Sequence, residues 1–209
     1  MAQQQSAANA GGSTDRLQLR EAVTIFGALR HFDLIDPSLI VRWAARVWGE
    51  SDVLNGMSSL VELDEARTYD VDSELAVLAQ QIGLAPMTHE LAGRVVAGYV
   101  ASKLSSGRIS PFGAARELWQ LSSSPGVEPH LRVFAHLTTE WEDRPAAREA
   151  LENAIRSEAQ HLEEDAPPHT PLGACVLPEL DAGRPDQDPG YSWRGWAPPM
   201  RFPRNASST

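Results

Sequence analysis

The sequence predicts an all-α protein, built as a compact bundle or stack of six to seven antiparallel helices. Apolar residues between 16 and 164 recur at intervals of three and four, which is the spacing of one helix face. No run of β-branched residues alternates in the manner of a strand. Nine of the fifteen prolines lie at 165–209, where they disfavour regular structure. We therefore expect a single helical domain at 16–164, a disordered segment at 1–15 and a Pro-rich disordered tail at 165–209.

The N-terminal half contains three segments of helical periodicity and one short ambiguous segment. Helices are predicted at 15–31, 36–49 and 73–82, whereas 57–63 is either a turn of helix or irregular chain. The side chains expected to point inward from the first two helices are Leu19, Val23, Phe26 and Leu29, then Leu39, Ile40, Trp43 and Val47.

The C-terminal half carries the clearest helix boundaries. Gly107 stands where a glycine is preferred after a helix, and Ser110 can cap the next helix with its hydroxyl. Pro111 is tolerated at the first helical position because it has no N–H to lose, and Ile109 is placed to pack back onto the new helix. Helices are therefore predicted at 89–105, 110–121, 131–144 and 147–162.

The charge of the chain argues against binding to nucleic acid. The sequence has 28 acidic and 18 basic residues, for a formal net charge of -10, and residues 16–164 alone hold 22 acidic and 14 basic side chains. Nucleic-acid binding draws most of its affinity from Lys and Arg side chains that neutralise phosphates. A domain with this balance would repel that ligand, so we expect no nucleic-acid partner.

Other features of the sequence limit the cellular compartment and the kinds of chemical site that we expect. No apolar run approaches the roughly 18 to 20 residues that a bilayer crossing needs. Residues 1–14 lack the basic and apolar regions of a secretory signal, so we expect a cytoplasmic protein without membrane contact. Cys175 is the single cysteine and cannot form an internal disulfide or a cysteine-based metal site. No phosphate-binding loop or serine nucleophile elbow occurs, and we expect no cofactor.

A first cluster of acids lies at 62–74. The spacing from Asp70 to Glu74 begins like a calcium loop, but Leu75 stands at the obligatory glycine and Gln81 at the twelfth position, which excludes an EF-hand. Two interpretations remain, namely negative charge around the N-terminus of the 73–82 helix or a docking face for a basic partner. The acids of the cluster are Glu62, Asp64, Glu65, Asp70, Asp72 and Glu74.

A second acidic group closes the 131–144 helix. Glu140, Glu142 and Asp143 oppose the helix dipole, a local cost that is usually accepted for a salt bridge or for the positive charge of a partner. We expect a salt bridge, with Arg116 or Arg148 as the candidate cations.

Two pairs of polar residues could serve an enzyme. His136 and Glu140 lie four residues apart on one helix, and His130 precedes them by close to two turns, so the three could ligate a metal or exchange protons. Such pairs are also common on exposed helix faces. Glu158 and His161 form one Glu-x-x-His without the second copy that a di-iron bundle requires, so we expect solvated side chains there.

The last twenty residues form the one locally basic stretch. They combine arginines with aromatic side chains and contain no acid, and aromatic residues with arginine dominate interface energetics. Trp193 and Trp196 either belong to a short motif that docks on the acidic domain or a partner, or lie in a passive extension.

Three runs of residues resemble a group of small, uncharacterised bacterial helical proteins. These runs are 91–94 (LAGR), 107–119 (GRISPFGAARELW) and 139–143 (TEWED), within a similarity that covers about residues 91–162. The resemblance implies a helical fold and brings no catalytic residue or activity with it.

Together these observations predict a non-enzymatic module that binds another protein, expected to be basic, through an acidic face. An immunity-like or accessory role would suit such a protein. The alternative hypothesis is a hydrolase-type or metal-dependent enzyme that uses His130, His136 and Glu140.

Overall fold

The computed structural model describes residues 2–48, 55–63, 68–124, 127 and 129–167. This part of the chain contains eight α-helices and two short 3-10 turns and no strand, which confirms the predicted all-α bundle. None of these helices is both long and apolar enough to cross a membrane. The helices are α1 (Ala2–His31), α2 (Pro37–Trp48), α3 (Asn55–Val61), α4 (Thr68–Gln81), α5 (His89–Ser105), α6 (Pro111–Ser122), α7 (Val133–Asp143) and α8 (Arg148–Glu164).

Helix α5 is the centre of the bundle. It packs against α1 on one side and against α6 and α8 on the other, while α2, α3 and α4 pack among themselves and onto α1. Its sequence explains this position, because small or apolar residues lie on all faces of the helix. Nearly every position from Ala92 to Leu104 is buried. A helix that is apolar on all sides belongs in the interior of a domain.

The inward residues predicted for the first helix are confirmed. Leu19, Val23, Phe26 and Leu29 are all buried in the core. Helix α1 itself starts at Ala2, ahead of the predicted start at residue 15. The side chains before Leu17 are outside the described residues, so the predicted disorder of 1–15 stays a prediction.

Two predicted boundaries in the N-terminal half need correction. The ambiguous segment 57–63 belongs mostly to helix α3, because Met57 and Leu60 sit one turn apart and are both fully buried. Helix α4 starts at Thr68, five residues before the predicted start, because Val71 joins the buried stripe of that helix. Consequently Asp70 and Asp72 lie inside the helix and not in a preceding loop.

The helix boundaries around α5 and α6 follow the predicted chemistry. Gly107 has a φ of +73°, a conformation that favours glycine, and the N–H of Arg108 donates to the carbonyl of Lys103 at 2.8 Å. The Ser110 side chain caps α6 by accepting from the N–H of Gly113 at 3.1 Å. These contacts fix the turn between the two helices.

A buried ion pair joins α5 to α6. The Lys103 ammonium donates to Glu117 at 2.8 Å, and the two side chains are 3% and 10% exposed. The ammonium also lies 5.3 Å from the centre of the Tyr99 ring. Because a buried charge is costly without its partner, this pair makes the packing of the two helices specific.

Candidate functional site

Only part of the first predicted acidic cluster is exposed to solvent. Glu62 lies exposed just after α3, whereas Asp70 and Glu74 are half-buried on α4. Asp64 and Glu65 lie outside the described residues, so their part in a docking face stays a prediction.

Asp72 is bound by an arginine of helix α1. Arg30 donates from Nε and Nη2 to the two carboxylate oxygens of Asp72 at 2.8 and 2.9 Å, and from Nη1 to Asp33 at 2.8 Å. The hydrogen bond to Asp72 is the main cause that raises the pKa of Arg30 above its ordinary value. This fork neutralises Asp72 and holds α4 against the end of α1, which gives the carboxylate a structural role.

The second acidic group has a salt bridge, with a partner other than the two named from the sequence. Glu140 accepts from Arg144 at 2.8 Å, one helical turn further along. Arg148 instead stacks on the Trp141 ring, with its guanidinium carbon 5.5 Å from the ring centre. Glu142 and Asp143 are exposed.

Two aromatic side chains stack next to this acidic helix end. The rings of Phe112 and Trp141 stack with their centres 5.3 Å apart and their planes 22° from parallel, and both side chains are half-buried. The pair connects the start of α6 to the end of α7. We call this surface the α7 acidic end, defined as residues 140–143 with Phe112 and Arg148.

Residues that follow in the chain add negative charge around the α7 acidic end. Residues 140–152 contain five acids and two arginines, which gives this stretch a balance of -3. A surface of one sign attracts oppositely charged partners over about 10 Å at ordinary ionic strength. The α7 acidic end is therefore an aromatic pair set within a negative field.

The histidines considered for an enzyme are not gathered into a metal site. His136 and His161 are exposed, and His161 lies 3.8 Å from Glu164. His130 borders a small cavity of about 120 Å³ between α5 and the end of α8. Within the described residues, no group of three or more His, Cys, Asp or Glu side chains could hold a metal ion.

A large groove among the described residues was not predicted from the sequence. A groove of about 950 Å³ lies between α1, α4 and α5, and the linker after α4 forms one wall. We call it the α1–α4–α5 groove. Its lining is mainly apolar and includes Val23, Leu75, Ala79, Met87, Leu91, Val95 and, from the chain after α8, Pro167.

A histidine pair lies at one end of the groove. His31 Nε2 is 3.0 Å from His89 Nδ1, and Phe32 contacts both rings edge-on. In this contact one ring nitrogen donates its hydrogen and the other accepts. Burial, followed by the charge of His89, lowers the pKa of His31 below its ordinary value.

Small residues are the sequence signal that could have revealed the groove. Gly27 of α1 faces Met87, and a Cβ added at the glycine would meet the Met87 methyl at 3.6 Å. Ala76 and Ala79 on α4 line the opposite side. Small side chains on facing helices leave a channel unless something else fills it, and periodicity alone does not report their pairing.

The tryptophans proposed as a tail motif, Trp193 and Trp196, lie outside the described residues. Comparison of the chain with family models, with curated proteins and with solved structures found no match.

Proposed function

We propose that the chain is a non-enzymatic module that binds a basic protein partner through the α7 acidic end. The observation that supports this most is the stack of half-buried Phe112 and Trp141 rings, of which Trp141 directly precedes the exposed acids Glu142 and Asp143 in the chain. Aromatic side chains supply much of the energy of protein interfaces. Surrounding charges accelerate encounter and reject partners of the wrong sign.

Arg148 strengthens the same argument. Its stacking on Trp141 holds the indole in a defined orientation, which lowers the entropy lost when a partner covers the ring. The salt bridge from Arg144 leaves Glu142 and Asp143 as the exposed acids of this helix end. A partner with Arg or Lys beside an apolar contact would complement this arrangement.

The 62–74 cluster remains a second part of the proposed docking surface. Glu62 is exposed, but Asp72 is engaged by Arg30, so a partner would have to displace an intramolecular pair to use it. We therefore give this cluster the weaker role, as a region that adds to the negative field.

We place this activity in a bacterial cytoplasm, in keeping with the resemblance found in the sequence, and we assign it an immunity-like or accessory role. A small acidic protein can occlude a basic enzyme that cleaves nucleic acid, because it covers the surface that binds phosphates.

Capture of partners by the full-length protein tests this proposal. Tagged wild-type protein, E142R/D143R and the charge-matched control E158R/E164R, at exposed acids far from the α7 acidic end, would be incubated with extract of the source cell, and bound proteins quantified by mass spectrometry. Trp141→Ala tests the aromatic contact, W193A/W196A tests the tail, and His136→Ala tests the enzyme hypothesis.

The expected result is a basic protein whose capture falls at least about tenfold with E142R/D143R and with Trp141→Ala, equivalent to about 1.4 kcal/mol. The control pair should lose clearly less, and His136→Ala should bind like wild type. Equal loss in both charge-reversal pairs would point to a nonspecific electrostatic attraction, and loss only in W193A/W196A would move the function to the tail. Either result would contradict the proposal.

A further inference from the structure

We infer that the α1–α4–α5 groove is the binding site for residues 168–180 of the same chain. This site is separate from the α7 acidic end, and the inference does not depend on the proposed partner. The groove's lining, the place where the chain leaves the described residues, and the composition and length of the following segment each support it.

The groove suits an apolar occupant. Leu75, Met87, Leu91 and Val95 line it from three elements, and the space between them measures about 950 Å³. Concave sites with mostly apolar walls bind ligands chiefly through apolar contact. Arg30 at the groove edge is bonded to Asp33 and Asp72, so its positive charge is already engaged and attracts an anionic ligand only weakly.

The described chain ends on the wall of this groove. After α8, the carbonyl of Asp165 accepts from Arg94 at 2.9 Å, which fixes the chain against α5. Pro167 is then buried and lines the groove together with Leu91 and Val95. The next residue therefore starts at the groove itself, with no linker to cross.

The composition of 168–180 (PHTPLGACVLPEL) matches the lining. Its large aliphatic residues are Leu172, Val176, Leu177 and Leu180, and Glu179 is its only Asp, Glu, Lys or Arg. The following stretch 181–189 is different, because it holds three aspartates and an arginine. Three prolines suit an extended segment, which binds an apolar groove by its side chains without needing every N–H.

The length of the segment is sufficient. The 14 residues of α4 extend for about 21 Å at 1.5 Å per residue. Thirteen residues in extended form reach about 43 Å, so the segment can follow the whole groove and still turn. Attachment at Pro167 gives it an effective concentration of the order of millimolar, which favours it over a second copy or a dilute external ligand.

A cysteine within the segment makes the inference directly testable. Cys175 is the only cysteine, so one added cysteine creates a single possible intramolecular disulfide. The test variant is full-length Ala79→Cys, on the groove wall, and the control is Ala146→Cys, an exposed site before α8. Ala146 lies about 26 Å from the end of α8, near the limit of about 27 Å that an undocked Cys175 reaches beyond Pro167, so it reports the background rate at a distant site.

The measured quantity is the initial rate of intramolecular disulfide formation under mild oxidation in dilute solution, with the bond mapped by mass spectrometry. Docking predicts a rate at least about tenfold higher for Ala79→Cys than for Ala146→Cys, since disulfides need a Cβ–Cβ distance near 4 Å. Adding L172D/L177D should abolish the difference, whereas S207D/S208D should preserve it.

Circular dichroism of every variant checks that the proteins being compared are folded. Ala79→Cys rates within about twofold of each other with and without L172D/L177D would overturn the inference, because proximity to Pro167 alone would then set the rate. Concentration-dependent disulfide dimers of Ala79→Cys would overturn it in favour of a second copy. Persistence of the preference in L172D/L177D would also contradict docking through the aliphatic side chains.

Discussion

The α1–α4–α5 groove and the α7 acidic end lie in different groups of helices and present opposite kinds of surface. Around the groove, Arg30 bonds to Asp33 and Asp72, and the lining is mainly apolar. At the α7 acidic end, Glu142 and Asp143 stay exposed next to an aromatic pair. A run of acids in a sequence becomes a negative surface only where tertiary contacts leave the charges uncovered.

The greatest loss of stability is expected at the ion pair that joins α5, which lines the groove, to α6, which carries Phe112. Lys103→Met should lower the free energy of unfolding by about 3–5 kcal/mol, because it removes the Lys103 ammonium from the buried Glu117 carboxylate. Urea unfolding followed by tryptophan fluorescence and by far-UV circular dichroism measures this.

The double variant K103M/E117L provides the control. It should recover most of the lost stability, since two apolar side chains can replace a buried ion pair of similar volume. If Lys103→Met alone changed the stability by less than about 1 kcal/mol, the pair would not be holding α5 against α6 as described.

A second prediction compares one salt bridge from each region. Arg30→Ala should cost about 1–3 kcal/mol, because the side chain is 10% exposed and makes charge-assisted hydrogen bonds to two acids. Arg144→Ala should cost at most about 0.5 kcal/mol, because its side chain is 67% exposed and bonds to Glu140 within one helix. Equal costs in denaturant unfolding would remove the proposed difference between the regions.

Replacement of two glycines by alanine should change the stability by smaller amounts and in opposite directions. Gly27→Ala should stabilise the protein by about 0.5–1 kcal/mol, since the glycine is inside α1 and the new Cβ meets Met87 at an ordinary 3.6 Å. Gly107→Ala should destabilise it by about 1 kcal/mol, because its φ is +73° and a side chain strains that conformation. Thermal unfolding of both variants should show shifts of opposite sign.

The smallest effect is a pH dependence at the histidine end of the groove. Since the pKa of His31 is lowered in the folded state, the folded protein binds fewer protons than the unfolded chain. Stability should therefore fall as the pH drops below the ordinary histidine value of about 6.5, and level off below the folded pKa.

Comparison with His31→Asn isolates this contribution. Unfolding free energies measured between about pH 8 and pH 5 should show a shallower acid loss in the variant, because one titrating ring has been removed. An identical slope in both proteins would show that other groups cause the acid response.

Much of the fold follows from sequence because helical period, caps and breakers act locally. Ser110, Pro111 and Gly107 are where their chemistry predicts, and the inward face of α1 is that of its apolar stripe. Errors arose where local signals were short, as at 57–63, or where one apolar residue such as Val71 extended a helix into an acidic stretch.

The sites were less predictable because they depend on residues distant in the sequence. Arg30 and Asp72 are 42 residues apart, and nothing local to either predicts their pairing. The groove needs Gly27, Ala79 and the linker after α4 to face each other, which only tertiary packing determines. By contrast, the three acids at 140–143 were identified from their conflict with the helix dipole, a local signal.

Photo-crosslinking in the source cell tests the central claim, that a partner binds at the α7 acidic end, most directly. A photoreactive amino acid would replace exposed Thr139 on α7 or, as the matched control, exposed Val77 on α4. We predict an adduct with a basic protein from position 139 that is lost in E142R/D143R, and little adduct from position 77. Adducts from position 77 alone, or from neither position, would contradict the claim.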